Sequence, residues 1–111
     1  MTITELPIEL DLEEIAAFCK QWHIAKLEIF GSVLRSDFRS DSDLDFLYTP
    51  GTGFQRDLAY AAWAHNKMAQ ELSELLGHKV DLIERSQIEK HRNWIRREHI
   101  LNSALPLYVE G

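Results

Sequence analysis

The stretch Leu27-Glu28-Ile29-Phe30-Gly31-Ser32-Val33-Leu34-Arg35-Ser36-Asp37-Phe38-Arg39-Ser40-Asp41-Ser42-Asp43-Leu44-Asp45-Phe46-Leu47-Tyr48 sets the architecture of this chain. Leu27 and Ile29 alternate with polar neighbours, which predicts a short strand over Lys26 to Phe30 ending at Gly31. Ser32 to Asp37 reads as a short helical turn leaving that glycine. Arg39 to Ser42 is polar and loop-like, and Asp43 to Tyr48 alternates again as a strand. Pro50, Gly51 and Gly53 then punctuate the chain and end that strand.

On the N-terminal side, Asp11 and Glu14 have the spacing of a capping box. Leu12, Ile15, Ala16, Cys19 and Trp22 follow at helical spacing, predicting a helix from about Leu12 to Trp22. On the C-terminal side, Phe54 to Leu76 is the longest periodic segment. Phe54, Leu58, Ala61, Ala62, Met68, Ala69, Leu72, Leu75 and Leu76 form one broad apolar stripe, and Gly77 stands where a C-cap glycine belongs. Lys79 to Glu84 predicts a third strand. Ser86 with Glu89 suggests a second capping box opening a helix to about Ser103, and Leu107 to Val109 suits a fourth, edge strand after Pro106. The expected fold is therefore α+β (mixed α/β), a small mixed sheet of about four strands covered by helices, in a single domain over residues 1–111.

Composition narrows the function classes. Of 111 residues, 45% are hydrophobic, which is ordinary for a packed domain and too high for a disordered chain. Acidic residues number 18 against 12 basic, for a net charge of −6. A protein coating nucleic acid is usually basic, because neutralising phosphates supplies most of that affinity, so direct nucleic-acid binding is not expected. A small phosphate substrate remains compatible, because a bound cation inverts the local electrostatics. The one cysteine, Cys19, falls in an apolar helical pattern and reads as a small buried hydrophobe. Met1 to Glu14 shows no basic region followed by an apolar run, and no stretch approaches the ~20 apolar residues that span a bilayer. The expected location is the cytoplasm, without membrane attachment.

Chemistry concentrates on the strand ends. Asp43 and Asp45, two apart in a strand, point to one face. Two such carboxylates repel unless water or a cation lies between them, and hard divalent cations take oxygen ligands of this kind. Asp-x-Asp alone is common and fits a solvated acidic strand end better than a cation site. Gly31-Ser32 lies at a strand-to-turn junction, where glycine permits close backbone approach and free N–H groups with a hydroxyl can bind phosphate. Arg35, one turn on, carries a delocalised cation suited to phosphate oxygens. Asp81 interrupts the apolar run Val80-Asp81-Leu82-Ile83 in a strand expected to be buried, so it needs a partner, a metal or solvent. If its strand neighbours that of Asp43 and Asp45, three carboxylates converge. Otherwise Asp81 occupies an exposed strand face.

The run from Gly31 to Phe46 closely resembles the signature of the DNA polymerase beta-like nucleotidyltransferases: Gly-Ser, an Arg three residues after the Ser, then Ser-Asp-x-Asp, here Ser42-Asp43-Leu44-Asp45. Val80-Asp81-Leu82 is similar to the segment holding that family's third acidic residue. Within the superfamily the chain resembles a minimal nucleotidyltransferase (MNT), over roughly Leu27 to Val109. Ser36 departs from the Gly often found there, which bears on local backbone geometry, whereas all three acidic positions are present.

The resemblance implies a polymerase-beta-like fold and attack by an acceptor hydroxyl on the α-phosphorus of a nucleoside triphosphate, releasing pyrophosphate. It implies that Asp43 and Asp45 ligate two Mg²⁺ ions, and that Asp81 ligates the catalytic one and orients or deprotonates the hydroxyl. Gly31 and Ser32 would hold the β/γ-phosphates, with Arg35 supporting them and Ser42 at the nucleotide. So short a chain has no room for an acceptor domain. Stand-alone MNT proteins commonly pair with a helical HEPN-domain toxin, so the resemblance implies AMP transfer from ATP onto a tyrosine of such a partner in a hetero-oligomer, making this chain its antitoxin. Two alternatives are an antitoxin acting by occlusion alone and a transferase whose small-molecule acceptor is presented by another subunit.

Remaining features read more plainly. Tyr60, Trp63 and Lys67 sit beside the main stripe of the long helix, as a widened core face or a partner surface. Lys90, Arg92, Arg96 and Arg97 make the last helix locally basic, which reads as a solvated face partly paired with Glu89 and Glu98 rather than as a triphosphate or partner contact. His23 ends the first helix, where the dipole favours a cation, and His65, His78, His91 and His99 lack metal-ligand spacing.

Overall fold

The computed structural model describes residues 5–35, 38–39, 41–55 and 57–110. Among these, strands β1 (Ile24–Phe30), β2 (Leu44–Pro50), β3 (Val80–Glu84) and β4 (Leu105–Val109) form one sheet in the order β3-β2-β1-β4. β1 runs antiparallel to both β2 and β4, whereas β2 and β3 are parallel, so the sheet is mixed as expected. A parallel pair needs a long crossover, and α2 (Leu58–Leu76) supplies it. Pro106 lies inside β4, where an edge strand can dispense with its missing N–H.

α1 (Leu12–Gln21) begins where Asp11 Oδ1 accepts from the backbone N–H groups of Glu13 and Glu14, at 3.1 and 3.2 Å. It ends at Gln21 with Trp22 as its cap, and His23 follows with a left-handed φ of 57°. α2 starts four residues later than its apolar stripe suggests. Asp57 caps it by accepting from Tyr60 N–H, while Phe54 packs into the core from the preceding turn. Leu58 is consequently 85% exposed, and Leu75 is also exposed; the buried spine is Ala64, Met68 and Leu72, spaced by four. Gly77 closes α2 with φ +69°, its N–H donating to Ser73 C=O.

The single helix expected from Ser86 to Ser103 is two. α3 (Arg85–Glu89) opens one residue before Ser86, so Ser86 lies inside the first turn and forms no capping box with Glu89. α4 (Trp94–Ser103) begins afresh at Asn93, whose side chain accepts from Arg96 N–H at 3.1 Å. Asn93 offers the backbone a local partner that a continuous helix would forgo, and the chain turns there.

Strand alternation sorts the core into two unequal parts. Leu27, Ile29, Leu44, Phe46, Tyr48 and Leu82 face α1 and α2, meeting Ile15, Phe18, Cys19, Met68 and Leu72 in the main cluster. The opposite face carries a smaller cluster of Phe30 and Leu47 under Ile88 of α3 and Ile100 of α4. That thinner cover leaves the start of β2 and β3 open on this side.

Candidate active site

The site is built where β1 ends and β2 begins. Gly31 takes φ +84°, which lets the chain leave β1 sharply into a 3-10 turn over Gly31–Leu34. A Cβ at this glycine would collide with the carboxylate of Asp45, so the missing side chain provides both the conformation and the space. Val33, 1% exposed, pins the turn to the core, and Arg35 N–H donates to Ser32 C=O at 2.9 Å to close it. The turn is shorter than the span from Ser32 to Asp37; Ser36 and Asp37, like Ser40, lie outside the described residues.

Asp43 is exposed and immediately precedes β2, whose first residue donates from Leu44 N–H to Lys79 C=O at 2.9 Å. Asp45 pairs with Phe30 of β1 on one side and with Asp81 of β3 on the other. Residues in register across neighbouring strands project to the same face, roughly 4.8 Å apart. The adjacency on which Asp81 depends is therefore present. Asp81 itself is exposed, not buried, because β3 is an edge strand and the helices leave that corner of the sheet uncovered.

The electrostatic consequence falls on Asp45. Half-burial, then the nearby Asp81 and Asp43 carboxylates, push its carboxyl up to about 6, partly opposed by the Arg35 guanidinium. Among the described residues, no group of three or more His, Cys, Asp or Glu side chains is arranged so as to hold a metal ion. The chemistry of the donors nevertheless suits a hard divalent cation: the paired Asp45 and Asp81 carboxylates stand on an open strand end near Asp43, mutually repelling, with room for phosphate and water.

Ser42 sits in a reciprocal turn with Arg39. Its hydroxyl accepts from Arg39 N–H at 3.0 Å, and its own N–H donates to Arg39 C=O at 3.0 Å. This turn delivers the chain to Asp43. Ser32 is half-buried on the facing turn.

A cleft of about 460 Å³ opens beside the carboxylates. Asp45, Asp81, Gly31 and Arg35 line one side. Its floor is apolar, made by Phe30, Leu34, Ile83, Ile88 and Ile100, and α4 contributes Arg96, His99 and Ser103 on the far wall. These three were not expected at the site. Their signal was available as spacing: Arg96, His99, Ile100 and Ser103 fall on one helical face, legible once α4 is known to start at Trp94. Of the other basic residues, Lys90 and Arg92 are solvated as expected, and Arg97 pairs with Glu98 at 3.7 Å.

Several of the remaining aromatic and nucleophilic groups pack against the core or against one another. Burial pushes the Cys19 thiol up to about 12. Tyr60 is half-buried against the main core, while Trp63, 51% exposed, leans on Tyr60 and on Trp22 at centroid distances of 5.7 and 5.8 Å. His65 packs on Tyr48 and His78 on Phe38. Among the described residues no helix is long and apolar enough to cross a membrane.

Comparison with solved structures places the fold. A minimal nucleotidyltransferase is 28% identical, with a TM-score of 0.59 over 88% of this chain and 97% of that one. A toxin–antitoxin complex with AMP-PNP matches at TM-score 0.62 and 17% identity, covering 90% of this chain and 74% of the other. A chain of the complex between a tri-AMPylated Shewanella oneidensis HEPN toxin and its MNT antitoxin matches at TM-score 0.55 and 15% identity, over 88% and 69%. A search of curated proteins by sequence finds no match. The family model described as "Nucleotidyltransferase domain" matches residues 12–105, and with its Gly-Ser turn, paired strand-end aspartates and mixed four-stranded sheet this chain belongs to the nucleotidyltransferase domain family.

Proposed function

We propose that residues 1–111 act as one Mg²⁺-dependent nucleotidyltransferase domain in the cytoplasm, moving AMP from ATP to a tyrosine hydroxyl of a HEPN-type toxin and so serving as its antitoxin. The observation that carries this reading is the in-register pairing of Asp45 with Asp81, beside Asp43 and against Gly31. Support for the partner comes from the fold shared with MNT antitoxins that form complexes with HEPN toxins.

Asp43, Asp45 and Asp81 would hold the metal ions, which supply charge neutralisation at the α-phosphate and a more acidic acceptor hydroxyl. Gly31 and Ser32 bind the β/γ-phosphates, Arg35 adds positive charge beside them, and Ser42 presents Asp43 towards the nucleotide. The acceptor oxygen forms its bond to the α-phosphorus while the α–β bridging bond breaks. Pyrophosphate leaves with the electron pair, and the hydroxyl proton passes to Asp81 and then to solvent. Asp81's exposure suits that last transfer.

The test is label transfer from α-labelled ATP with Mg²⁺, with and without the HEPN-type protein encoded beside this gene. Label on the partner that is lost in Asp43→Ala and Asp45→Ala is the expected result. Full neutralisation of the toxin by those variants, with no label moved by the wild type, would replace catalysis with occlusion.

A further inference from the structure

We propose that the cleft between α4 and the open face of the sheet is the acceptor subsite, shaped for an aromatic hydroxyl, with Arg96 and His99 as the side chains that position it. This rests on the transfer reading above and deepens it.

Position is the first argument. In an in-line displacement the attacking oxygen stands opposite the departing pyrophosphate. The cleft reaches Asp81, the carboxylate assigned to the acceptor hydroxyl, with Asp45 beside it, and meets the phosphate turn at Gly31, Leu34 and Arg35. Ser32, Ser42 and Asp43 lie outside its lining. The cleft therefore adjoins the carboxylate that meets the acceptor.

Chemistry is the second. The floor of isoleucines, Leu34 and Phe30 gains by covering with an apolar ring and gains little from a serine, a threonine or a sugar. A phenol offers such a ring with its one polar atom at the tip, where Asp45 and Asp81 stand. On the α4 wall, the Arg96 guanidinium and the His99 imidazole are flat groups able to lie against that ring, the first as a cation over its face. About 460 Å³ accommodates an aromatic side chain with the backbone that carries it. One turn before His99, Ile95 is 65% exposed, and its neighbour Trp94 is 63% exposed. These apolar side chains flank the α4 wall, as befits an acceptor borne on a protein rather than a free metabolite. The reaction is the same balanced step: the phenolic oxygen bonds to the α-phosphorus, pyrophosphate departs, and the phenolic proton goes to Asp81.

The experiment uses the full chain with Mg²⁺ and α-labelled ATP, offering N-acetyl-tyrosinamide or N-acetyl-serinamide, and separately the HEPN-type partner. Tyrosinamide should accept label at least about tenfold faster than serinamide. Ser103→Phe, which fills the cleft from its rim, and Arg96→Ala should raise the acceptor KM about tenfold or more. Both should leave the thermal stabilisation by Mg²⁺-ATP unchanged, and Arg96→Lys, which keeps charge without the flat face, should recover little. If Ser103→Phe does not fold, exposed Arg96 carries the test. Equal labelling of both amides, or unimpaired transfer by the cleft variants, overturns the subsite while leaving the transferase intact. Loss of Mg²⁺-ATP stabilisation in those variants assigns the cleft to the adenine instead. A wild type that binds Mg²⁺-ATP yet labels no acceptor, partner included, overturns both readings.

Discussion

Asp45 and Gly31 are legible together only as a pair. A glycine after a strand and an aspartate in the next are each commonplace, but here the Asp45 carboxylate occupies the space a Cβ on Gly31 would need. Gly31→Ala therefore meets two penalties, a left-handed φ and a collision. It should lose about 2 kcal/mol or more in denaturant unfolding, together with activity. Asp45 carries the opposite expectation for stability. Its carboxyl is raised from 3.8 to about 6, so the folded metal-free protein holds that proton more tightly than the unfolded chain. Stability then falls as pH rises from about 4 through 6, and the deficit persists above that window. Asp45→Asn removes it. The variant should be more stable than wild type at pH 7 by about 1 kcal/mol, allowing for solvent screening, and indistinguishable from it at pH 4. The same variant should lose transfer roughly a hundredfold or more. A destabilised Asp45→Asn protein at neutral pH without metal would refute this electrostatic account.

Elements were read well where periodicity was long and poorly where short polar side chains decide the ends. α1 and the four strands fall within about two residues of their expected limits, because alternation and apolar spacing report the buried face directly. The stripe from Phe54 to Leu76 overran its helix: Phe54 and Leu58 fit the pattern, yet Asp57 caps between them and turns Leu58 out to solvent. Asn93 did the same within the last helical segment, and that break matters more, since it sets the angle at which α4 crosses the cleft. Asn93→Ala should cost about 1 kcal/mol. It should also speed hydrogen exchange in the first turn of α4, leaving exchange in α2 unchanged. Uniform acceleration across the molecule would mean the cap acts on global rather than local stability.

At the scale of the whole molecule, an ion pair helps tie α3 to the sheet. Arg85 Nη1 lies 2.6 Å from Glu28 Oε1, and Glu28 is 3% exposed in the middle of β1. Lys26 stands further off, at 3.7 Å from the other carboxylate oxygen. Removing the guanidinium leaves a buried carboxylate short of its main partner, so Arg85→Ala should cost about 3 kcal/mol by denaturant titration. Replacing both residues by apolar ones (Glu28→Leu with Arg85→Met) should cost less than the single change. The chain of residues by itself determined the strand and helix types, the closeness of Asp43 to Asp45, and the glycine that precedes them. These follow from local periods and from backbone freedoms that neighbours in sequence dictate. Only the tertiary structure decided that β3 lies parallel beside β2, bringing Asp81 to Asp45, and that α4 returns to wall the cleft with Arg96 and His99. Strand order and helix angle arise from burying both sheet faces at once, a condition on residues some fifty positions apart that no local pattern encodes.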